Sequence, residues 1–237
     1  MPRMRPRRLI GWLAGAAVAV VVLVVGGAFV YIHFISGPAP APLSLKSATS
    51  PAATTSPGGA AAAGKLAGNW RVTSGSVVGY RVNEVLAGQN NVAVGRTGDV
   101  SGSMTVTGTT VTAASFTVQM ATIKSDESER DAQFNGRIMQ TAIYPTGALK
   151  LTAPIRLARV PADGVIRTYR ATADLTLHGQ TRPVTFQLEA ERTSAGVEVS
   201  GSIPITFANW GISNPSFAGF VTTQNHGELE FLIKFSK

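Results

Sequence analysis

The chain has 237 residues, no cysteine and a formal net charge of +8 at pH 7. The absence of cysteine excludes disulfides, thiolate catalysis, thiolate metal sites and lipidation at cysteine. The positive charge does not indicate a nucleic-acid partner, because four arginines precede residue 9 and residues 68–237 carry 15 basic and 13 acidic side chains.

The first 35 residues have the pattern of a membrane anchor. Residues 9–35 form 27 consecutive positions without a permanent charge, and about 20 apolar residues are enough for a helix to cross the hydrocarbon core. The basic flank at residues 1–8 predicts a cytoplasmic N-terminus. A cleaved signal peptide is the competing interpretation, but its apolar core usually has only about 7–15 residues. We expect a single-pass protein of a bacterial cell membrane, extracytoplasmic from residue 36 onward.

Residues 36–67 consist almost entirely of Pro, Ala, Ser, Thr and Gly. This composition buries too little apolar surface to offset the entropy lost on ordering, so it predicts a disordered tether. A free chain of this length has a root-mean-square reach on the order of 30 Å.

From residue 68 to residue 237 the apolar residues alternate with polar ones, which indicates half-buried strands. Val78, Tyr80 and Val82 share one face, and Tyr169 begins another such series that ends at Leu177. The connections are mostly turn-sized, as at His178, so neighbouring strands should pair as antiparallel hairpins. About eight strands can be counted. They predict an all-β domain, a single eight-stranded antiparallel barrel that closes on itself and so leaves no exposed edge.

One short helix is predicted within this domain, beginning in the acidic sequence SDESERDAQF. Ser125 is a favourable N-cap, the acidic residues that follow suit the positive end of the helix dipole, and Phe134 and Ile138 form an apolar stripe. The pair Tyr144-Pro145 is expected to end the helix. A lone helix in a β-barrel should close one end.

No pattern of catalytic or metal-binding residues is present. The chain lacks HExxH, two-Cys and two-His-one-carboxylate spacings, and the acidic cluster does not match an EF-hand. His178 and His226 are predicted to lie in turns or at the surface. We therefore predict no catalytic residue, no bound metal and no cofactor.

Four motifs together resemble the YceI-like family of exported lipid-binding proteins. They are NWRVTSGSVVGYRV from Asn69, SDESERDAQF with its later Tyr-Pro, ADLTLHGQTRPVTF from Ala173, and FANWGI from Phe207. The resemblance implies a lipocalin-like barrel whose apolar tunnel holds a long isoprenoid chain or another extended lipid, and no enzymatic activity. Family members often carry histidines where this chain has Gly75 and Glu84, so no head-group role is transferred to those positions.

The predicted tunnel lining follows from the resemblance and from the alternation of the strands. It comprises Val78, Tyr80, Val82, Phe116, Val118, Phe134, Ile138, Leu175, Leu177, Phe186, Leu188 and Phe207. Arg130 and Asp131, which match the Arg-Asp pair of the family's helix, are predicted to hold the helix over a barrel end.

Two alternatives stay open at this point. In the first, the barrel is filled by its own side chains and acts as an envelope stress or interaction protein. In the second, it is an enzyme that uses Glu84, Asp131, His178 or His226 on a lipid. The expected partners are a long-chain isoprenoid or similar lipid and the membrane through residues 9–35, with a second copy of the chain as a further option.

Overall fold

The computed structural model describes residues 20, 27, 39–45, 66–86, 88–217, 219 and 221–237. The predicted flank at residues 1–8 and nearly all of the predicted span at residues 9–35 lie outside these residues. Within the described part of the chain, no helix combines the length and the apolar character needed to cross a bilayer.

The barrel domain is built from β-strands connected mainly by short turns, in keeping with the alternating pattern of the sequence. Its strands are β1 Gly68–Val72, β2 Val77–Leu86, β3 Gln89–Thr97, β4 Val100–Thr107, β5 Thr110–Gln119, β6 Thr146–Leu151, β7 Ile155–Arg156, β8 Arg167–Leu177, β9 Gln180–Arg192, β10 Val197–Thr206, β11 Val221–Thr223 and β12 His226–Ser236.

These strands form one antiparallel sheet that closes into an eight-stranded barrel, as predicted. The order is β1-β4-β5-β6-β8-β9-β10-β12, and β12 closes the circle by pairing with both β1 and β2. The strands β1 and β2 are two halves of one barrel strand, interrupted where Gly75 adopts a φ of 82° in the left-handed region that favours glycine. The strands β3 and β4 form the next barrel strand in the same way.

Three hairpins join consecutive strands, in keeping with the turn-sized connections of the sequence. The strands β4 and β5, β8 and β9, and β9 and β10 pair antiparallel across short turns. His178 lies in the β8–β9 turn with a φ of 47°, and His226 begins β12 at the surface.

The helix begins later than predicted. The α-helix α1 spans Ser128–Gln133 and continues as a π-helical turn over Phe134–Ile138. Its N-cap residue is Glu127, so the assignment of Ser125 as N-cap was wrong. The Ser125 hydroxyl instead accepts a hydrogen bond from the Glu127 amide and contacts the Asp131 carboxylate. The helical segment also ends before Tyr144-Pro145, because the turn at Gln140 has a positive φ of 48°.

The strand ends define two ends of the barrel. The helix end carries α1, the β8–β9 turn and the connection between β10 and β12; the loop end carries the β9–β10 turn and residues 157–166. Buried apolar side chains form one cluster toward each end, and Leu151, Ile155 and Phe231 contact both clusters. The apolar interior therefore extends along the whole barrel.

Part of the predicted tether is ordered against the barrel. Residues 39–45 lie on its outer wall, and Leu45 is buried there. The prediction of a disordered tether is therefore wrong for these residues, because their backbone finds hydrogen-bond partners on the barrel that composition does not reveal. Residues 36–38 and 46–65 of the predicted tether lie outside the described residues.

Candidate functional site

The barrel encloses an apolar cavity of about 310 Å³. This volume is far larger than the small voids of a packed protein interior and lies at the lower end of the range of small-molecule sites, about 300–1,000 Å³. Its walls come from every barrel strand, from α1 and from the π-helical turn. The interior is thus an elongated cavity and not a completely filled core.

All twelve residues predicted to line a tunnel contact this cavity. Nine of them lie on strands, where alternation points every second side chain inward, and Phe207 directly follows β10. Phe134 and Ile138 enter from the helix end. That these side chains contact a bound lipid stays a prediction.

Two small residues keep the middle of the cavity open. Ala171 and Ala173 are inward-facing on β8, are almost completely buried and line the cavity. Phe186, which pairs with Ala171 from the neighbouring strand β9, is larger and packs against Phe231 at a ring-centroid distance of 5.9 Å. Alternating small and large side chains let the interior hold a slender molecule.

The cavity has a polar group at the helix end, formed by Glu84 and Arg130. The Glu84 side chain, on β2, is only 8% exposed, and its Oε1 accepts hydrogen bonds from Arg130 Nη2 at 3.2 Å and Asn91 Nδ2 at 2.8 Å. The other guanidinium nitrogen of Arg130 donates to Asp126. Arg130 thereby ties α1 to the barrel wall.

Asp131 is buried beside this group and contacts residues that precede the helix. Its Oδ1 accepts hydrogen bonds from the Ser125 amide at 2.8 Å and the Ser125 hydroxyl at 2.9 Å. Its Oδ2 lies 3.5 Å from Lys124 Nζ. Lys124 in turn exchanges two backbone hydrogen bonds with Arg96 on β3. Asp131 therefore secures the segment that covers the free edge of β3.

Tyr80 lies between this polar group and the apolar cavity. Its ring stacks on Phe134 with centroids 5.1 Å apart and an angle of 15° between the planes. Burial raises the pKa of the Tyr80 phenol above its ordinary value; Arg130 opposes this rise, and the carboxylates of Asp131 and Glu84 add to it. The phenol therefore stays neutral far into the alkaline range.

The charge of Arg130 is also set by this environment. Burial by itself would lower the pKa of the guanidinium, but Glu84 and Asp126 outweigh it and leave the pKa raised. The guanidinium is already shared between two carboxylates. The polar end thus combines one positive with two negative side chains, and it does not offer an anion a free positive charge.

The loop end of the cavity carries a second ion pair. Arg192 Nη2 lies 2.9 Å from Asp163 Oδ1, and its Nη1 donates to the Pro161 carbonyl at 3.4 Å. Pro161 and Arg192 both line the cavity. This ion pair fastens residues 157–166 to the end of β9.

The histidines are not assembled into a reactive site. His178 packs on Tyr144 with centroids 4.4 Å apart, and its Nδ1 lies 3.2 Å from the Trp210 carbonyl. Its Nε2 is buried without a hydrogen-bond partner among the described residues. No three His, Asp or Glu side chains in the described part of the chain are close enough together to hold a metal ion.

Sequence reasoning missed several residues of the cavity wall. Ala171, Ala173 and Phe231 belong to the same alternating series as the residues that were predicted, so their pattern could have identified them. The alternation does not identify Arg130, because it lies on a helix and reaches the cavity only through the docking of α1 on β2.

The chain is similar to known proteins. The model of the YceI-like domain matches residues 70–235. The chain belongs to the YceI-like family. This was the family that the four sequence motifs indicated.

Two solved structures have a similar fold. A polyisoprenoid-binding domain from Saccharophagus degradans, implicated in plant cell wall breakdown, superposes with a TM-score of 0.57 at 15% identity, over 70% of this chain and 97% of that domain. BcnA from Burkholderia cenocepacia gives a TM-score of 0.55 at 17% identity, over 70% of this chain and 99% of BcnA. No curated protein matches the sequence. At these identities the likeness concerns the fold alone.

Proposed function

We propose that this YceI-like protein binds one long-chain isoprenoid or a similar extended lipid inside its barrel. The observation that carries the proposal is the apolar cavity of about 310 Å³ that runs between the two ends. Transfer of an apolar chain from water to such a lining is favourable by about 25 cal/mol per Å² of buried surface and needs no charged partner. The polyisoprenoid-binding domain of the same fold supports this choice of ligand.

The proposed role is binding, that is sequestration or transport, and not catalysis. A general acid or base needs a partner and a reacting group within hydrogen-bond distance. The two buried carboxylates at the helix end, Glu84 and Asp131, are instead held by Arg130, Asn91 and Ser125. Their contacts are those of residues that fasten α1 to the barrel.

We further propose that the lipid's polar end is uncharged and lies near Glu84. The group of Glu84, Arg130 and Asp126 has two carboxylates for one guanidinium, which opposes a phosphate or diphosphate. Glu84 Oε1 is occupied by two donors, whereas no donor among the described residues bonds to Oε2. That oxygen suits the O–H of an alcohol or a hydroquinone.

In the cell we propose that residues 9–35 anchor the chain in the membrane, with the barrel on the extracytoplasmic side. The support is the uncharged segment of 27 residues and the four arginines before it. An anchored barrel would exchange lipid with the bilayer that supplies it.

The test measures binding by the full-length protein after delipidation. A long-chain polyprenol, its methyl ether and its monophosphate have the same tail, so differences in Kd report on the head group. We expect the alcohol to bind about tenfold more tightly than the phosphate or the ether. Native mass spectrometry of the protein purified from a bacterial host should show one prenyl lipid per chain.

A matched variant separates the head group from the tail. Glu84→Gln removes one negative charge and keeps the shape, so it should narrow the difference between alcohol and phosphate. If all three ligands bind equally, the head-group assignment is wrong while lipid binding stands. If none of them binds, the proposed function is wrong.

A further inference from the structure

Residues 39–45 cross the outer wall of the barrel, far along the chain from the strands that they touch. The Pro40 carbonyl accepts a hydrogen bond from Arg81 Nη2 at 2.6 Å, and the Ala41 carbonyl accepts one from Arg96. The Leu43 amide donates to Glu230 at 3.2 Å, and the Leu45 amide donates to Ser200 Oγ at 3.3 Å. We call residues 39–45 the strap. From its first to its last residue it contacts β2, β3, β12 and β10.

The centre of this contact is the buried carboxylate of Glu230. On β12 this residue alternates with Leu229 and Phe231, which pack against the core, so its side chain points to the outside of the barrel. It is nevertheless only 4% exposed. A carboxylate is buried in proteins only where charged or polar partners replace water. Part of that replacement comes from the strap, through the Leu43 amide.

Two arginines join the strap to the Glu230 carboxylate. Nη2 of Arg96 lies 2.7 Å from Oε1 of Glu230, and Nε of Arg81 lies 3.4 Å from Oε2. Each arginine also donates to a carbonyl of the strap. The guanidinium groups therefore bridge the carboxylate and the strap, and a charge-assisted hydrogen bond is about twice as strong as a neutral one.

The sequence of the strap suits these arginines. Pro40 and Pro42 have no amide hydrogen and favour an extended backbone, so this part of the strap presents mainly carbonyl acceptors. Leu45 adds an apolar anchor that is only 6% exposed. The strap thus contributes carbonyl acceptors to the two arginines and one buried aliphatic side chain, Leu45.

We propose that the strap is a docking element that holds the barrel close to the bilayer with its β2–β3 wall toward the membrane. This inference rests on the proposed anchor at residues 9–35. Only residues 36–38 then separate the anchor from the strap. Three extended residues span about 10 Å, whereas a free tether of 32 residues would let the barrel rotate and move over a root-mean-square range on the order of 30 Å.

The wall that the strap turns toward the membrane also carries the polar end of the cavity. Glu84 and Asn91 lie on the same two strands as Arg81 and Arg96. Glu84 follows Arg81 by three residues, which is about 10 Å along a strand. Docking of the strap therefore presents the head-group end of the cavity to the bilayer in a constant orientation.

Hydrogen exchange at the strap amides, read by NMR or by fragment-resolved mass spectrometry, tests the docking. In the full-length protein the Leu43 and Leu45 amides should be protected at least about tenfold relative to an unstructured chain. Leu45→Asn should abolish this protection, whereas Ser44→Asn, at an exposed neighbour in the strap, should retain it. Unprotected Leu43 and Leu45 amides in the unmodified protein would overturn the proposal.

The orientation is tested with the protein reconstituted in lipid nanodiscs. Because the chain has no cysteine, Asn90→Cys on β3 and Thr185→Cys on β9 each give a single labelling site at an exposed position. Lipids with a nitroxide on the head group should quench a fluorophore at residue 90 several-fold more than one at residue 185. Leu45→Asn should remove that difference.

Binding of the long-chain polyprenol, measured on the same samples, separates this proposal from the proposed function. Equal quenching at both sites in the unmodified protein overturns the orientation, and so does failure of the chain to remain in the nanodisc. Polyprenol binding combined with unprotected strap amides would overturn the strap proposal alone. Protected strap amides and unequal quenching without polyprenol binding would support the strap proposal and overturn the proposed lipid binding.

Discussion

The substitution Ala173→Leu should obstruct the proposed lipid site from within. Ala173 is inward-facing near the middle of β8, is 1% exposed to solvent and lines the cavity. Leucine adds three carbon atoms, which would occupy cavity space otherwise available to about as many lipid carbons. At about 0.8 kcal/mol per buried CH₂, the complex loses roughly 2.4 kcal/mol, or about fifty-fold in Kd.

The free protein should not be destabilised to the same degree, because the added atoms enter existing space. Thr172→Leu is the matched control, since Thr172 precedes Ala173 on β8 but points to the outside of the barrel. The assay is displacement of a fluorescent prenyl probe, combined with urea unfolding of the delipidated protein. We expect Ala173→Leu to weaken binding strongly and Thr172→Leu to leave it within about twofold.

Two results would refute this reasoning. Unchanged affinity with unchanged stability would mean that the lipid does not occupy the cavity beside β8. A loss of about 2 kcal/mol or more of unfolding free energy would mean that the space is too tightly packed to accept three carbons, as in overpacked cores.

Three further predictions concern the helix end. Asp131→Ala should lower the free energy of unfolding by about 2–3 kcal/mol, because it leaves the Ser125 amide and hydroxyl without their buried acceptor. The control Glu129→Ala, on the first turn of α1, should change that free energy by less than about 0.5 kcal/mol, both measured by urea unfolding. Folding raises the pKa of the Tyr80 phenol, so the stabilisation that comes from the neutral phenol is present below its unfolded pKa of about 10 and is lost as pH rises toward the folded pKa, by up to about 1.4 kcal/mol per pH unit. Tyr80→Phe should reduce that slope in unfolding curves measured above about pH 10. Gly95→Ala would place a methyl group against the Tyr80 ring, so it should destabilise the fold by about 1–3 kcal/mol and disturb the stack on Phe134, which near-ultraviolet circular dichroism would detect.

The barrel could be predicted because each strand encodes its own alternation. The series that ends at Leu177 and the series through Phe186 both indicate which face is buried, and their turn-sized connection allows only antiparallel pairing. The cavity-lining positions followed from the same pattern. The start of the helix was predicted wrongly, since Ser125 has the character of an N-cap but bonds to Asp131 instead.

The polar end of the cavity and the strap could not be predicted in this way. Glu84 and Arg130 are 46 residues apart, and Leu43 and Glu230 are 187 residues apart. No local pattern links residues at such separations. The low-complexity composition of residues 36–67 indicated disorder, and the strap finds its partners on β2, β3, β10 and β12 only in the folded barrel.

The sequence by itself determined that the domain is an antiparallel β-barrel, because alternation and turn chemistry are local properties repeated along the chain. The resemblance of its four motifs indicated the YceI-like family. Only the tertiary structure decided that the interior stays open and where its polar end lies. Openness depends on how small residues such as Ala173 and large ones such as Phe186 share the interior, and that balance of volumes exists only after the sheet has closed.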